Sequence, residues 1–148
     1  MVRGIDRSTG AELWTWRASA YPSLGFHGIA RLAVEQRHVI VFAGSLVPPE
    51  RARQKEPNYR GSVSCLDTRT GTLHWEHPLE LGPWKEGFGV TLLIDAGQVV
   101  VGYPTQVLAY ALEDGTPQWR HELDDAAHAL PLVALALPGL VAPSGTRE

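Results

Sequence analysis

Three stretches of the chain align without gaps: Gly4-Ile5-Asp6-Arg7-Ser8-Thr9-Gly10-Ala11-Glu12-Leu13-Trp14, Cys65-Leu66-Asp67-Thr68-Arg69-Thr70-Gly71-Thr72-Leu73-His74-Trp75 and Ala109-Tyr110-Ala111-Leu112-Glu113-Asp114-Gly115-Thr116-Pro117-Gln118-Trp119. A small residue is followed two positions later by Asp, four further on by Gly, and after another four by Trp. The third stretch departs from the frame at Ala111, where Asp is expected. Asp with Ser/Thr and Gly between strand-like runs is turn chemistry: the carboxylate accepts backbone N–H bonds and Gly supplies a positive φ. The Trp then opens the next strand with a large flat surface to bury.

Trp75 and Trp119 are 44 residues apart, and Trp14 and Trp75 are 61 apart. A period of 44 lies in the range of four-stranded propeller blades. The excess falls on Ser45–Arg60 (SLVPPERARQKEPNYR), rich in Pro and charge and without strand periodicity. Hydrophobic alternation predicts strands at Val2–Asp6, Glu12–Arg17, Ile29–Glu35, His38–Gly44, Gly61–Asp67, Thr72–Leu79, Gly89–Ile94, Val99–Tyr103, Gln106–Leu112 and Gln118–Leu123, with two more at Leu132–Leu137 and Leu140–Ala142. The expected fold is all-β, a β-propeller-like radial array of four-stranded antiparallel blades, incomplete at about three blades' worth. Residues 1–148 form one partial domain: 1–17 end a blade, 18–79 are a blade with the 45–60 insertion, 80–123 are a blade, and 124–148 start another.

Up-and-down topology places first-to-second and third-to-fourth turns at one end of each blade, and all other connections at the opposite end. The insertion and the aromatic segments 18–28 and 78–88 therefore crowd one face. Loops carry function more often than scaffolds do. The candidate partner-binding face comprises Tyr21, His27, Arg51, Arg53, Lys55, Tyr59 and Trp84, with Phe26 and Phe88 read as caps on the core.

The remaining chemistry is sparse. Net charge is −3, which gives no electrostatic footprint for nucleic acid. No apolar run reaches the roughly 20 residues of a spanning helix. Cys65 is the single cysteine, excluding an intramolecular disulfide framework and a cysteine zinc site. It holds the small-residue position of its repeat and is read as buried and inert. His74 and His77 fall on opposite faces of a strand, and His121, His128, Asp124 and Asp125 read as a solvated acidic turn. Glu113 and Asp114 are turn carboxylates rather than an acid/base pair. No catalytic, cofactor or metal constellation is expected.

The Asp6/Gly10/Trp14 and Asp67/Gly71/Trp75 frames, with Gly115/Trp119 lacking the Asp, resemble the repeat of the pyrroloquinoline-quinone-binding propeller superfamily. Its Ala-x-Asp-x-x-x-Gly-x-x-x-Trp signature is the tryptophan-docking motif. The resemblance implies that Trp14, Trp75 and Trp119 wedge between neighbouring blades. It identifies a scaffold rather than an activity. The superfamily's dehydrogenases need a calcium site of Glu, Asn and Asp, an Asp base and often a vicinal disulfide; one Cys and the single Asn58 cannot assemble that set.

The expected role is a non-catalytic, bacterial module that binds a protein partner or small ligand on its loop-rich face, with no cofactor. The alternative is a fragment of a quinone-dependent dehydrogenase whose active site lies in blades not present. Closed propellers have four to eight blades, so either further blades or association of chains completes the ring. Met1–Gly10 has no leader-like apolar core, which argues for the cytoplasm as written; the resemblance implies the periplasm if sequence precedes Met1.

Overall fold

A computed structural model describes residues 1–18, 29–47, 58–82, 90–103, 106–123, 136–137 and 140–141. Among these residues every regular element is a β-strand. The strands are β1 (Val2–Ile5), β2 (Glu12–Trp16), β3 (Ile29–Glu35), β4 (His38–Val47), β5 (Asn58–Asp67), β6 (Leu73–Gly82), β7 (Thr91–Asp95), β8 (Gln98–Tyr103), β9 (Gln106–Ala111), β10 (Pro117–Glu122), β11 (Ala136–Leu137) and β12 (Leu140–Val141).

They pair in strict chain order: a β1–β2 hairpin, a β3–β4–β5–β6 sheet, a β7–β8–β9–β10 sheet and a β11–β12 hairpin, all antiparallel. Two four-stranded meanders flanked by two hairpins form an array that does not close, as the spacing of the Trp residues predicts.

Two boundaries differ from the sequence reading: β6 runs on to Gly82, into the 78–88 segment read as a connection, with Glu80 and Gly82 opposite Arg60 and Tyr59. The 45–60 segment is not irregular throughout: Ser45, Leu46 and Val47 continue β4 and pair with Arg60, Tyr59 and Asn58 of β5. Pro48, Pro49 and Pro57 interrupt the pattern, but the residues outside them still complete an unbroken ladder, because Pro excludes only its own position from donation. Residues 132–135, expected as part of a strand, lie outside the described residues.

Packing follows from alternation. On β4 and β5, Ile40, Phe42, Val63 and Cys65 face the β7–β10 sheet, where they meet Val99, Val101, Leu108 and Tyr110 in one core. Val39, Val41 and Leu66 face the other way and pack with Val2, Trp14 and Trp16 of the β1–β2 hairpin. The middle strands are thus buried on both faces, and this is why VIVFA reads as a continuous apolar run rather than an alternating one. At the β7–β8 turn Ala96 and Gly97 both have positive φ, 47° and 75°, the type I′ geometry that matches the twist of a tight hairpin.

Candidate functional site

The repeated turn has the same backbone in all three places. Gly10 N donates to Asp6 O, Gly71 N to Asp67 O and Gly115 N to Ala111 O, at 2.8, 2.9 and 2.9 Å. Each Gly sits at a φ near 70°, a conformation that costs a residue with a Cβ. Asp6 Oδ1 accepts the Ser8 and Thr9 amides, both at 2.8 Å, together with their hydroxyls. Asp67 Oδ1 accepts the Arg69 and Thr70 amides and the Thr70 hydroxyl.

Bonds from the Ser8 hydroxyl, the Thr9 amide and hydroxyl, and the Ser8 amide hold the Asp6 carboxyl down to about 2. The Arg69 and Thr70 amides lower that of Asp67. In the third turn Ala111 has no carboxylate to offer. Asp114 serves instead, accepting the Thr116 amide at 2.8 Å, and the turn closes without the expected Asp.

Each Trp is aimed by an irregularity that the sequence pattern does not display. The pairing slips between Gly4 and Ile5, between Cys65 and Leu66, and between Trp119 and Pro117. Leu13, His74 and Gln118 are the extra residues, one before each Trp. A bulge of one residue moves everything beyond it to the opposite face. Trp14, Trp75 and Trp119 consequently lie opposite Gly4, Cys65 and Ala109. The small residue of the frame makes room: a Cβ on Gly4 would come within 2.3 Å of the Trp14 ring.

From those positions two indoles reach the next unit. Trp14 Nε1 donates to Thr68 O at 3.0 Å, and Trp75 Nε1 donates to Leu112 O at 3.0 Å. Their rings cover the turn glycines: a Cβ on Gly71 would fall 2.6 Å from Trp14 Cδ2, and one on Gly115 2.7 Å from Trp75 Cδ2. Two residues on, His77 Nε2 donates to Gly115 O at 2.7 Å and its ring stacks on Tyr110, with centroids 4.6 Å apart and 12° between planes. Trp119 has the same place in its sheet but is 45% exposed, against 8% for Trp75.

An open groove of about 640 Å³ runs between β6 and the β9–β10 edge, with His77, Leu79, Tyr103, Tyr110, Trp119 and Arg120 among its walls. Gln106 also lines it and carries a buried Oε1 without a hydrogen-bond partner. Burial pushes the Tyr103 phenol up to about 12 and raises that of Tyr110, so both remain neutral donors across ordinary pH. The groove joins aromatic faces to a guanidinium and an open acceptor, a lining suited to an extended polar chain with apolar side groups. Sequence reasoning missed it, because its walls come from β6 and β8–β10, strands of two different sheets.

The tight turns do share one end of each sheet: Thr68 N donates to Arg37 O and Leu112 N to Gly97 O, at 2.9 and 2.8 Å. Of the face at the other end, Tyr21, His27, Arg51, Arg53, Lys55 and Trp84 lie outside the described residues, as do Phe26 and Phe88. Tyr59 is placed by its backbone alone, in β5 opposite Leu46.

Cys65 is fully buried, with Sγ 3.9 Å from Leu112 O, and desolvation pushes its thiol up to about 12. The His74 ring packs edge-on against His38 at 5.9 Å, and His38 in turn lies 3.7 Å from Glu113 of the sheet whose Tyr110 stacks on His77, so the expected placement of His74 and His77 on opposite faces does not follow from the pairing. Among the described residues no three His, Cys, Asp or Glu side chains gather as metal ligands, and no helix is long and apolar enough to cross a membrane.

Comparison with curated proteins yields no match. A family model described as outer membrane protein assembly factor BamB matches residues 59–143, more than half the chain, from β5 to β12. The match, the meander topology and the 44-residue frame agree, and the chain belongs to this family of PQQ-like β-propeller repeats.

Proposed function

We propose that the protein is a non-catalytic β-propeller module that holds a protein partner. The family match carries this reading: the matched family is described as an assembly factor for outer membrane proteins, and such a factor acts by engaging other polypeptides. The groove between β6 and β10 supports it. Both are outer edge strands of their sheets, and an edge strand offers unpaired N–H and C=O groups to an extended peptide. Aromatic walls and the free Gln106 Oε1 add side-chain pockets to that backbone ladder. The loop-bearing end, with Trp84 and the Arg51/Arg53/Lys55 run, is the second contact area in this reading.

The test uses an unfolded outer membrane β-barrel polypeptide, diluted from urea onto the immobilised 148-residue chain. Retention is expected for the native chain and loss for Trp84→Ala, for deletion of residues 48–57, and for Arg120→Glu in the groove, each with an unchanged far-UV spectrum. Equal retention by all three variants refutes the placement. Dye-linked alcohol or sugar oxidation by the chain supplied with quinone and calcium would refute the non-catalytic reading in favour of the dehydrogenase alternative.

A further inference from the structure

Among the described residues three buried side-chain oxygens lack a hydrogen-bond partner: Glu35 Oε2, Ser62 Oγ and Gln106 Oε1. Orphans of this kind are uncommon in folded proteins, because each keeps the cost of its lost hydration until a donor pairs it. Of the three, Gln106 alone lines the groove between β6 and the β9–β10 edge. Its amide N–H is already engaged, donating to the Tyr103 hydroxyl, which leaves the carbonyl end open. The side chain as a whole is half-buried and its terminal torsion is soft, so a rotation turns Oε1 toward the groove.

The other walls restrict what can bring the donor. Leu79, Leu108 and Tyr110 are 5%, 9% and 7% exposed and give the groove an apolar floor, so its occupant needs an apolar body. Arg120 Nη2 holds Glu122 Oε1 at 2.6 Å, and the guanidinium charge is felt at the phenols of Tyr103 and Tyr110. That charge repels Lys and Arg, and the carboxylate that would attract them is taken. Asp and Glu bring no proton. Ser, Thr, Asn, Gln and His bring too little apolar surface to cover the floor. Tyr and Trp join a broad apolar ring to one O–H or N–H at the tip. At about 640 Å³ the groove has the size of a small-ligand site, with room for such a ring.

We propose that this groove is an anchor pocket for a Tyr or Trp side chain of the partner polypeptide. The tip O–H or N–H donates to Gln106 Oε1, and the ring lies along Leu79, Leu108 and Tyr110. Both walls belong to whole neighbouring sheets, β3–β6 and β7–β10. The assignment rests on the partner-holding role and adds what the partner must carry. A site that offers a buried acceptor discriminates against an analogue lacking the donor, so Phe is the disfavoured residue.

Fluorescence anisotropy tests it, using two labelled extended peptides of alternating Thr and Val that differ only in a central Tyr or Phe. The native chain is expected to bind the Tyr peptide about tenfold more tightly. Gln106→Leu removes the acceptor and is expected to abolish the preference, whereas Gln106→Glu retains an acceptor oxygen and is expected to keep it, both with an unchanged far-UV spectrum. Equal affinities on the native chain, or a preference that survives Gln106→Leu, overturn the anchor and leave the partner-holding role standing. Binding of neither peptide overturns it as well, and retention of the unfolded β-barrel polypeptide then reads whether the partner-holding role falls with it.

Discussion

Gly71→Ala and Gly97→Ala make the same chemical change at nearly the same backbone angle, φ +69° and +75°. What differs is the neighbour. Around Gly97 an added Cβ meets nothing within 4 Å; at Gly71 it would lie 2.6 Å from both Cδ2 and Cε3 of Trp14. The left-handed conformation costs an L-residue about 1–2 kcal/mol, and this applies to both variants. The entropy that Ala removes from the unfolded chain also applies to both and cancels in the comparison.

Gly71→Ala carries in addition the cost of pushing an indole off its seat, about 1–3 kcal/mol for overpacking. The ring cannot slide freely, since its Nε1 is held at 3.0 Å by Thr68 O and its other face lies against Gly4. The expected losses are about 1–2 kcal/mol for Gly97→Ala and about 2–5 kcal/mol for Gly71→Ala.

A double-mutant cycle isolates the contact. In a Trp14→Ala background, Gly71→Ala is expected to fall to the cost of Gly97→Ala, a coupling of about 1–3 kcal/mol. Trp14 suits the cycle better than Trp75 because it is half-buried, so its removal leaves a folded chain. Urea unfolding at one protein concentration, followed by far-UV dichroism, supplies the midpoints, with unchanged m-values as the check that only stability has moved. Equal costs for the two glycines, or a Gly71→Ala cost that persists without the indole, would refute the idea that the indole seated on the next turn holds the array together.

Acid should weaken the array through its turns. Asp6, Asp67 and Asp114 have carboxyls held below the ordinary 3.8, so their ionised forms favour the fold; that contribution is complete above about pH 4 and is lost as pH falls toward 2. Urea midpoints should decline over that interval, and less steeply in Asp6→Asn.

Cys65 titrates in the opposite sense. Its thiol is raised from 9.0 to about 12, so the unfolded chain loses its proton first and stability falls as pH climbs from about 9 to 12. Cys65→Ser should lessen that alkaline decline, and a thiol reagent should leave the native chain unlabelled at pH 8 until urea is added. At the β7–β8 turn, Ala96→Asn places a residue tolerant of positive φ at 47° and should stabilise by about 0.5–1 kcal/mol in the same urea assay.

Local chemistry explains why so much was legible before any coordinates. Asp6 and Asp67 each bond amides two and three residues ahead, and Gly10, Gly71 and Gly115 each adopt a φ that their neighbours in sequence demand. Alternation identified β3, whose residues are exposed in turn, and a continuous apolar run identified β4, which is buried on both faces. The order of pairing followed from short connections between antiparallel neighbours.

What the chain alone left undetermined depends on residues far apart. The extra residues Leu13, His74 and Gln118 put each Trp on the side of the small residue, and nothing local distinguishes a bulged strand from a regular one. The pairing of Ser45–Val47 with Asn58–Arg60 spans an interruption rich in Pro. His77 against Tyr110, the groove beside them, and the unequal burial of Trp75 and Trp119 arise where one sheet meets the next or meets none. A turn is decided by forces within a few bonds, so the order of residues determines it. Which indole is covered depends on the presence of a neighbouring sheet, and only the assembled array decides that.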